Sequence, residues 1–123
     1  MDSVLEKELS HQVLGACFRV HHELGMGLLE DVYESALVIE LASRGLQVQR
    51  QAPFKVFYRQ QQVGYYLADL VVENRLIVEL KAVKSLNDIM IAQLLNYLRI
   101  ARIPLGYLVN FGRPKLEWQR YVV

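Results

Sequence analysis

Two apolar runs joined by three polar residues constrain the fold of this chain more than any other feature. Tyr66-Leu67-Ala68-Asp69-Leu70-Val71-Val72 and Leu76-Ile77-Val78-Glu79-Leu80-Lys81 flank Glu73-Asn74-Arg75, a connection with room only for a tight turn between antiparallel strands. A hairpin centred near Asn74 pairs residues whose numbers sum to roughly 148, which sets Asp69 directly opposite Glu79. Strand residues two apart share a face, so Glu79 and Lys81 project together while Leu80 points away. Charges inside strands this apolar are expensive to bury. Facing carboxylates repel, and such a pair persists most readily when a divalent cation lies between them, with Lys81 beside them to hold a water or stabilise developing negative charge. The plainer alternative gives each carboxylate a basic partner, Lys81 for one and an arginine for the other, with no metal.

The rest of the chain supplies elements to cover such a sheet. Leu5, Leu9, Val13, Ala16, Cys17 and Val20 recur three and four apart, which predicts an amphipathic helix over Val4 to Leu24, stopped by Gly25 and Gly27. A second helix is expected from about Leu29 to Ser43, closed by Gly45. Beyond Leu46 the period becomes two. Val48, Phe54, Val56 and Tyr58 predict a strand interrupted near Pro53, then a turn in Arg59-Gln60-Gln61-Gln62 and a strand over Val63 to Val72. After Lys81, Asn87 is placed to cap a helix over Asp88 to Arg102, which Pro104 ends, and Leu105 to Phe111 and Leu116 to Val122 read as further strands. The order is α-α-β-β-β-α-β-β, a mixed sheet flanked by helices, with a parallel crossover permitted between the third and fourth strands.

With 123 residues, 53% hydrophobic and 22% charged, the chain is expected to form one domain, residues 1–123, with a proper core. Its only cysteine, Cys17, excludes an internal disulfide and multi-thiolate metal sites, and a reducing, cytoplasmic setting is expected. The N-terminus Met1-Asp2-Ser3-Val4-Leu5-Glu6-Lys7-Glu8 is unlike an export leader, and the absence of any 18-residue apolar run argues against a membrane partner. The net charge of +1 conceals an asymmetry: residues 1–40 hold eight acids against Lys7 and Arg19, a net of −6, while the remainder carries +7. A basic C-terminal two-thirds could build a polyanion-binding face. His21 and His22 lack zinc-type partner spacing; His22 is a candidate site neighbour, and His11 is expected to be structural or exposed. No Gly-rich phosphate loop and no Ser/Cys–His nucleophile arrangement supports a small-molecule enzyme.

Asp69 and Glu79-Leu80-Lys81 on adjacent strands followed by a helix resemble the PD-(D/E)XK nuclease superfamily, whose α-β-β-β-α-β core matches the predicted order from the second helix onward. Gln93 and Tyr97, a Q-x-x-x-Y pair on one helical face, are similar to the pair in its RecB-like and lambda-exonuclease-like branches. Gly27-Leu28-Leu29-Glu30-Asp31-Val32-Tyr33 resembles the motif that names the GxxExxY family, with His22-Glu23-Leu24-Gly25 in the expected place before it. The resemblance spans roughly His22 to Phe111. Ala68 stands where the superfamily name has proline, a departure that removes no ligand.

The resemblance implies an α/β, restriction-endonuclease-like fold with an extra N-terminal helix and C-terminal strand, and phosphodiester hydrolysis assisted by Mg²⁺ or Mn²⁺. It implies that Asp69, Glu79 and the backbone carbonyl of Leu80 bind the metal, that Glu30 reaches it directly or through water, and that Lys81 orients the water or stabilises the transition state. Gln93 and Tyr97 would hydrogen-bond Lys81, the water or a phosphate, and Tyr33, one turn after Glu30, is expected to pack or to support the site from behind its ligands. Read without the resemblance, Glu30 is an exposed first-turn acid favoured by the helix dipole and Tyr97 a core residue. Nucleic acid, DNA above all, is the implied partner. A minimal domain with no DNA-reading module suggests structure-directed or nonspecific cleavage, action as a homodimer, or recruitment by a protein partner. The rival is a non-catalytic module that keeps a nuclease fold to bind nucleic acid or protein; the intact set Glu30, Asp69, Glu79 and Lys81 argues against it.

Overall fold

The computed structural model describes residues 5–123, in the order α1 (Lys7–Leu24), α2 (Glu30–Ser43), β1 (Val48–Tyr58), β2 (Gln61–Val72), β3 (Leu76–Lys81), α3 (Asp88–Ala101), β4 (Leu105–Asn110) and β5 (Glu117–Val122). The expected helix start at Val4, and the N-terminal residues read against an export leader as far as Val4, lie outside the described residues. Local chemistry sets the other boundaries. At the end of α2 the Gly45 N–H donates to the Ala42 carbonyl (2.9 Å) and the Leu46 N–H to the Leu41 carbonyl (3.2 Å), a closure that needs the left-handed φ of 79° at Gly45. Asn87 caps α3, its Oδ1 accepting from the Met90 N–H at 3.0 Å.

Two details differ from expectation. The first hairpin turn is only Arg59-Gln60, both left-handed, and Gln61 already pairs with Tyr58. Strand β1 also runs unbroken through Pro53, because it is the edge strand of the sheet, where a missing N–H can face away from the ladder. The irregularities fall elsewhere: Gln51 has φ 52°, and the pairing with β2 shifts register between Val56 and Phe57.

The sheet order is β1-β2-β3-β4-β5, antiparallel except for the β3–β4 pair, which α3 connects in parallel. Helices α1 and α2 cover one face, where Val13, Cys17, Leu37 and Leu41 pack on Leu70, Val78, Leu80 and Val109. On the other face Leu94 and Leu98 of α3 pack on Ala68, Val71, Ile77 and Leu108. No helix among the described residues is long and apolar enough to cross a membrane.

One strand changes faces along its length. Tyr66 and Ala68 pack on the α3 side, whereas Leu70 and Val72 pack on the α1/α2 side. Even-numbered residues of β2 therefore switch sides across Asp69, and the neighbouring β1 residue between the pairs Arg50↔Leu70 and Ala52↔Ala68 is the left-handed Gln51. Beyond this point β2 pairs with β1 alone, and the two continue as a two-stranded arm.

The segment after β3 is clamped by Asn110, which is fully buried. Its Oδ1 accepts from the N–H groups of Val83 and Gly112, both at 3.0 Å, and its Nδ2 donates to the Val83 carbonyl and to Glu117 Oε1, both at 2.9 Å. Gly112 has no side chain because a Cβ there would collide with the backbone of Ala82 and Val83. Replacement of Asn110 by Ala orphans several of these groups, and a loss of about 2–4 kcal/mol is expected from a urea melt of the variant. An unchanged midpoint would show that the clamp is dispensable.

Candidate active site

The ladder between β2 and β3 pairs Val72↔Leu76, Val71↔Ile77 and Leu70↔Val78, each summing to the expected 148, and it stops there. At the next position side chains replace it. Asp69 Oδ2 accepts from the Leu80 N–H at 2.9 Å, and Glu79 Oε2 accepts from the Asp69 N–H at 3.0 Å. Each carboxylate thus holds a backbone donor of the opposite strand, which satisfies the amides left over where the strands part. Glu79 is buried and Asp69 half-buried. The second oxygens are less engaged: Asp69 Oδ1 has one long bond of 3.4 Å from Gln51 Nε2, and Glu79 Oε1 accepts none among the described residues.

The loop before α2 brings a third acid. Gly27 turns with φ 101°, and Tyr33 ties the loop to its own helix: its hydroxyl donates to the Gly25 carbonyl at 2.6 Å and accepts from the Leu28 N–H at 3.1 Å. The Tyr33 ring stacks on Phe111, with centroids 4.7 Å apart. In Gly27-x-x-Glu30-x-x-Tyr33 the glycine and tyrosine are therefore structural, and they present Glu30 from the first turn of α2. Glu30 lies within electrostatic reach of Lys81, Asp69 and Glu34, with the Ala82 N–H toward it.

Three carboxyls share one region of low polarity, and their proton affinities show it. Burial, then repulsion from Asp69, pushes Glu79 up from 4.5 to about 8. Burial also raises Asp69 and Glu30, against the pull of the Leu80 N–H on the former and of Lys81 on the latter. Among the described residues the ion pairs are Arg19–Glu23, Arg44–Glu40, Arg50–Glu34 and Arg75–Glu6. Among the described residues neither Asp69 nor Glu79 has a basic partner at ion-pair distance, so the metal-free alternative of two local salt bridges is not what they build.

Glu34 went unread in the sequence. It is buried, accepts from Arg50 Nε at 2.5 Å and Gln51 Nε2 at 2.9 Å, and so joins α2 to the kink in β1. The signal that could have found it is its spacing of four from Glu30, which puts both acids on one helical face. On α3 the Tyr97 ring stacks on Tyr66 at 3.9 Å, the Tyr66 hydroxyl donates to the Tyr97 carbonyl at 2.7 Å, and Phe54 stacks on Tyr66 in turn. Burial and then the Glu79 charge raise both tyrosine hydroxyls, so Tyr97 lies within electrostatic reach of the carboxylates. Gln93, one turn earlier, is exposed and makes no hydrogen bond among the described residues. His22 is exposed on the last turn of α1, and buried His21 bonds the Arg113 carbonyl through Nε2 at 2.8 Å.

The donor set is all oxygen: two carboxylates, Glu79 with one oxygen unengaged and Asp69 with one held only by a long bond, a third carboxylate in reach, and the Leu80 backbone. That chemistry suits a hard divalent ion such as Mg²⁺ or Mn²⁺ rather than zinc or copper. Among the described residues no three His, Cys, Asp or Glu side chains already converge on one metal position, since Asp69 and Glu79 are turned onto amides. The residues fit the ion by type; their free oxygens are the ones available to it.

Acid groups raised on folding bind more protons in the folded state than in the unfolded one. In EDTA, stability should therefore fall as pH rises from about 4.5 to about 8, the window in which unfolded Glu79 is ionised and folded Glu79 is not. Glu79→Gln keeps an acceptor for the Asp69 N–H and should flatten this slope. A Tm that is independent of pH across the window in the wild type would contradict the crowding of these carboxyls.

A family model described as the PD-(D/E)XK nuclease superfamily matches residues 7–121, from the first turn of α1 to the last residues of β5. The crystal structure of SSO0001 superposes with a TM-score of 0.57 at 16% identity, covering 75% of this chain and 48% of that one. The chain thus spans about half the length of that structure, and at this identity the likeness concerns the fold alone. No curated protein sequence matches the chain. The family match takes in both strands of the Asp69–Glu79 crossing, Lys81 and the helix that carries Glu30, and the mixed sheet has the architecture of a restriction-endonuclease-like fold: the chain belongs to the PD-(D/E)XK nuclease superfamily.

Proposed function

We propose that the protein hydrolyses phosphodiester bonds in nucleic acid, DNA above all, with the help of Mg²⁺ or Mn²⁺, as a GxxExxY-type nuclease akin to the RecB-like and lambda-exonuclease-like branches. The observation that supports this best is the crossed pair Asp69 and Glu79, with Glu79 Oε1 free and Asp69 Oδ1 held only by a long bond from Gln51, and Lys81 beside them and outside any ion pair among the described residues. A minimal domain of this kind has little surface for reading sequence, so cleavage directed by structure, action as a homodimer or recruitment by a protein partner is part of the same reading.

Asp69, Glu79 and the Leu80 carbonyl would hold the metal, with Glu30 reaching it directly or through water. When bound, the ion supplies Lewis-acid activation of water and neutralises charge on the phosphate. The protein's own part is positioning. The Leu80 and Asp69 amides fix one oxygen of each carboxylate, so the remaining oxygens are presented without rotational freedom. Lys81 places a positive charge where the reacting phosphate gains negative charge and holds the attacking water. Tyr97 and Gln93 of α3 would bond a phosphate oxygen or Lys81. The buried Tyr66 ring backs Tyr97 and keeps water from the side of the sheet that α3 covers.

Labelled single- and double-stranded DNA and RNA incubated with Mn²⁺, Mg²⁺ or EDTA test the reading directly. Lys81→Ala should still bind nucleic acid while cleavage falls on the order of 10²–10³-fold, the worth of one such transition-state contact. Glu79→Ala should be inactive. Equal residual cleavage in wild type and both variants would assign the activity to a contaminant, and binding without metal-dependent cleavage would favour the non-catalytic module.

Thermal melts with and without Mn²⁺ give a second readout. Metal binding to the folded state alone should raise Tm in the wild type. Asp69→Asn removes one repelling charge yet retains an acceptor for the Leu80 N–H, so its metal-free Tm should hold or rise while its Mn²⁺ shift shrinks. An undiminished shift would remove Asp69 from the ligand set.

A further inference from the structure

The arm formed by β1 and β2 beyond Gln51 and Asp69 has one covered face and one bare one. Its covered face packs on α3 through Ala52, Phe54, Val56, Tyr66 and Ala68. The bare face carries Pro53 opposite Leu67 and Lys55 opposite Tyr65, with exposed Phe57 next along β1, past a register shift between Val56 and Phe57. Tyr65 is 65% exposed and Phe57 59%, unusual for aromatic rings on a sheet face. From Val48 to Ala68 the chain contains no Asp or Glu, and its charges are Arg50, Lys55 and Arg59. At the tip the Arg59 guanidinium lies over the Tyr58 ring, 5.5 Å from its centroid.

We propose that this bare face is a docking surface for single-stranded nucleic acid, whose unpaired bases stack on Tyr65 and Phe57 while Lys55 and Arg59 contact its phosphates. The inference rests on the nuclease reading and adds the form of substrate that the site receives. Unpaired bases expose π-faces to flat aromatic side chains, and a duplex keeps its bases stacked on one another. Cations without neighbouring acids track a phosphate backbone. A second copy of the chain fits the face poorly, since arm against arm brings together cations with no acid on either side to pair them. The arm also leads to the site. Tyr65 lies four residues from Asp69 along β2, about 13 Å of strand.

The test measures binding and cleavage separately. Fluorescein-labelled 20-mer oligothymidylate is titrated with the wild type in EDTA by anisotropy, alongside a duplex of equal length. Tyr65→Ala and Phe57→Ala should each weaken single-strand binding roughly 5- to 100-fold and leave duplex binding nearly unchanged, while Tyr65→Trp should restore it. Lys55→Gln should reduce the slope of log affinity against log salt by about 0.7. Both aromatic positions are exposed, so circular dichroism should show folded variants. Variants that bind oligothymidylate as the wild type does would overturn the proposal. So would sedimentation of the wild type as a dimer that Tyr65→Ala dissociates, which would assign the face to a second copy. If the wild type cleaves with Mn²⁺ while the arm variants bind unchanged, the docking surface falls and the nuclease stands. Arm-dependent binding without metal-dependent cleavage supports the docking surface and removes the nuclease.

Discussion

The crossing of two side chains between β2 and β3 organises this molecule. Asp69 accepts from the Leu80 amide and Glu79 from the Asp69 amide, so the sheet is held at its splitting point by carboxylates rather than by ladder bonds. An unpaired amide buried at such a point costs about as much as a lost hydrogen bond. Capping both amides with acids removes that cost and at the same time concentrates negative charge where water is scarce. The same two bonds let β2 leave β3, which creates the arm and aligns its base with the carboxylates.

The surrounding elements maintain this arrangement. Tyr33 pins the turn before α2, whose first turn presents Glu30. Glu34, one helical turn on, reaches Arg50 and Gln51 at the kink in β1 and ties helix to arm. Asn110 holds the chain after Lys81 through Val83, which fixes where β3 ends. From the α3 side, the Phe54–Tyr66–Tyr97 stack closes the site with aromatic surface. Raised proton affinities of Glu79, Asp69 and Glu30 are the electrostatic consequence: the fold holds acids together without giving Asp69 or Glu79 a cation at ion-pair distance among the described residues. Such a cluster suits a hard metal ion by the type of its donors and is electrostatically short of positive charge.

Much of the fold was legible in the sequence because its causes are local. The three polar residues between the apolar runs determined the hairpin and its register of 148. Gly45, Asn87 and Pro104 determined helix ends through turn chemistry that acts within a few residues. The proximity of Asp69 and Glu79 followed from that register. Glu30 was legible only as part of a motif, since an isolated first-turn acid has an adequate local explanation, and Pro53 misled because only position at a sheet edge excuses a proline.

Tertiary structure alone decided the rest. Strict alternation along β2 would keep Ala68 and Leu70 on one face; packing against α3 on one stretch and against α1 and α2 on the next turned the strand over at Asp69. No periodicity within seven residues encodes that change, because it arises from two different partners competing for the two halves of a strand. The roles of Glu34, Gln51 and Asn110 depend likewise on groups 16 to 27 residues away in the chain. The sequence determined which strands pair and which acids meet; the packing of helices on both faces determined which way those acids turn, because hydrogen bonds and burial are settled by neighbours in space and not by neighbours in the chain.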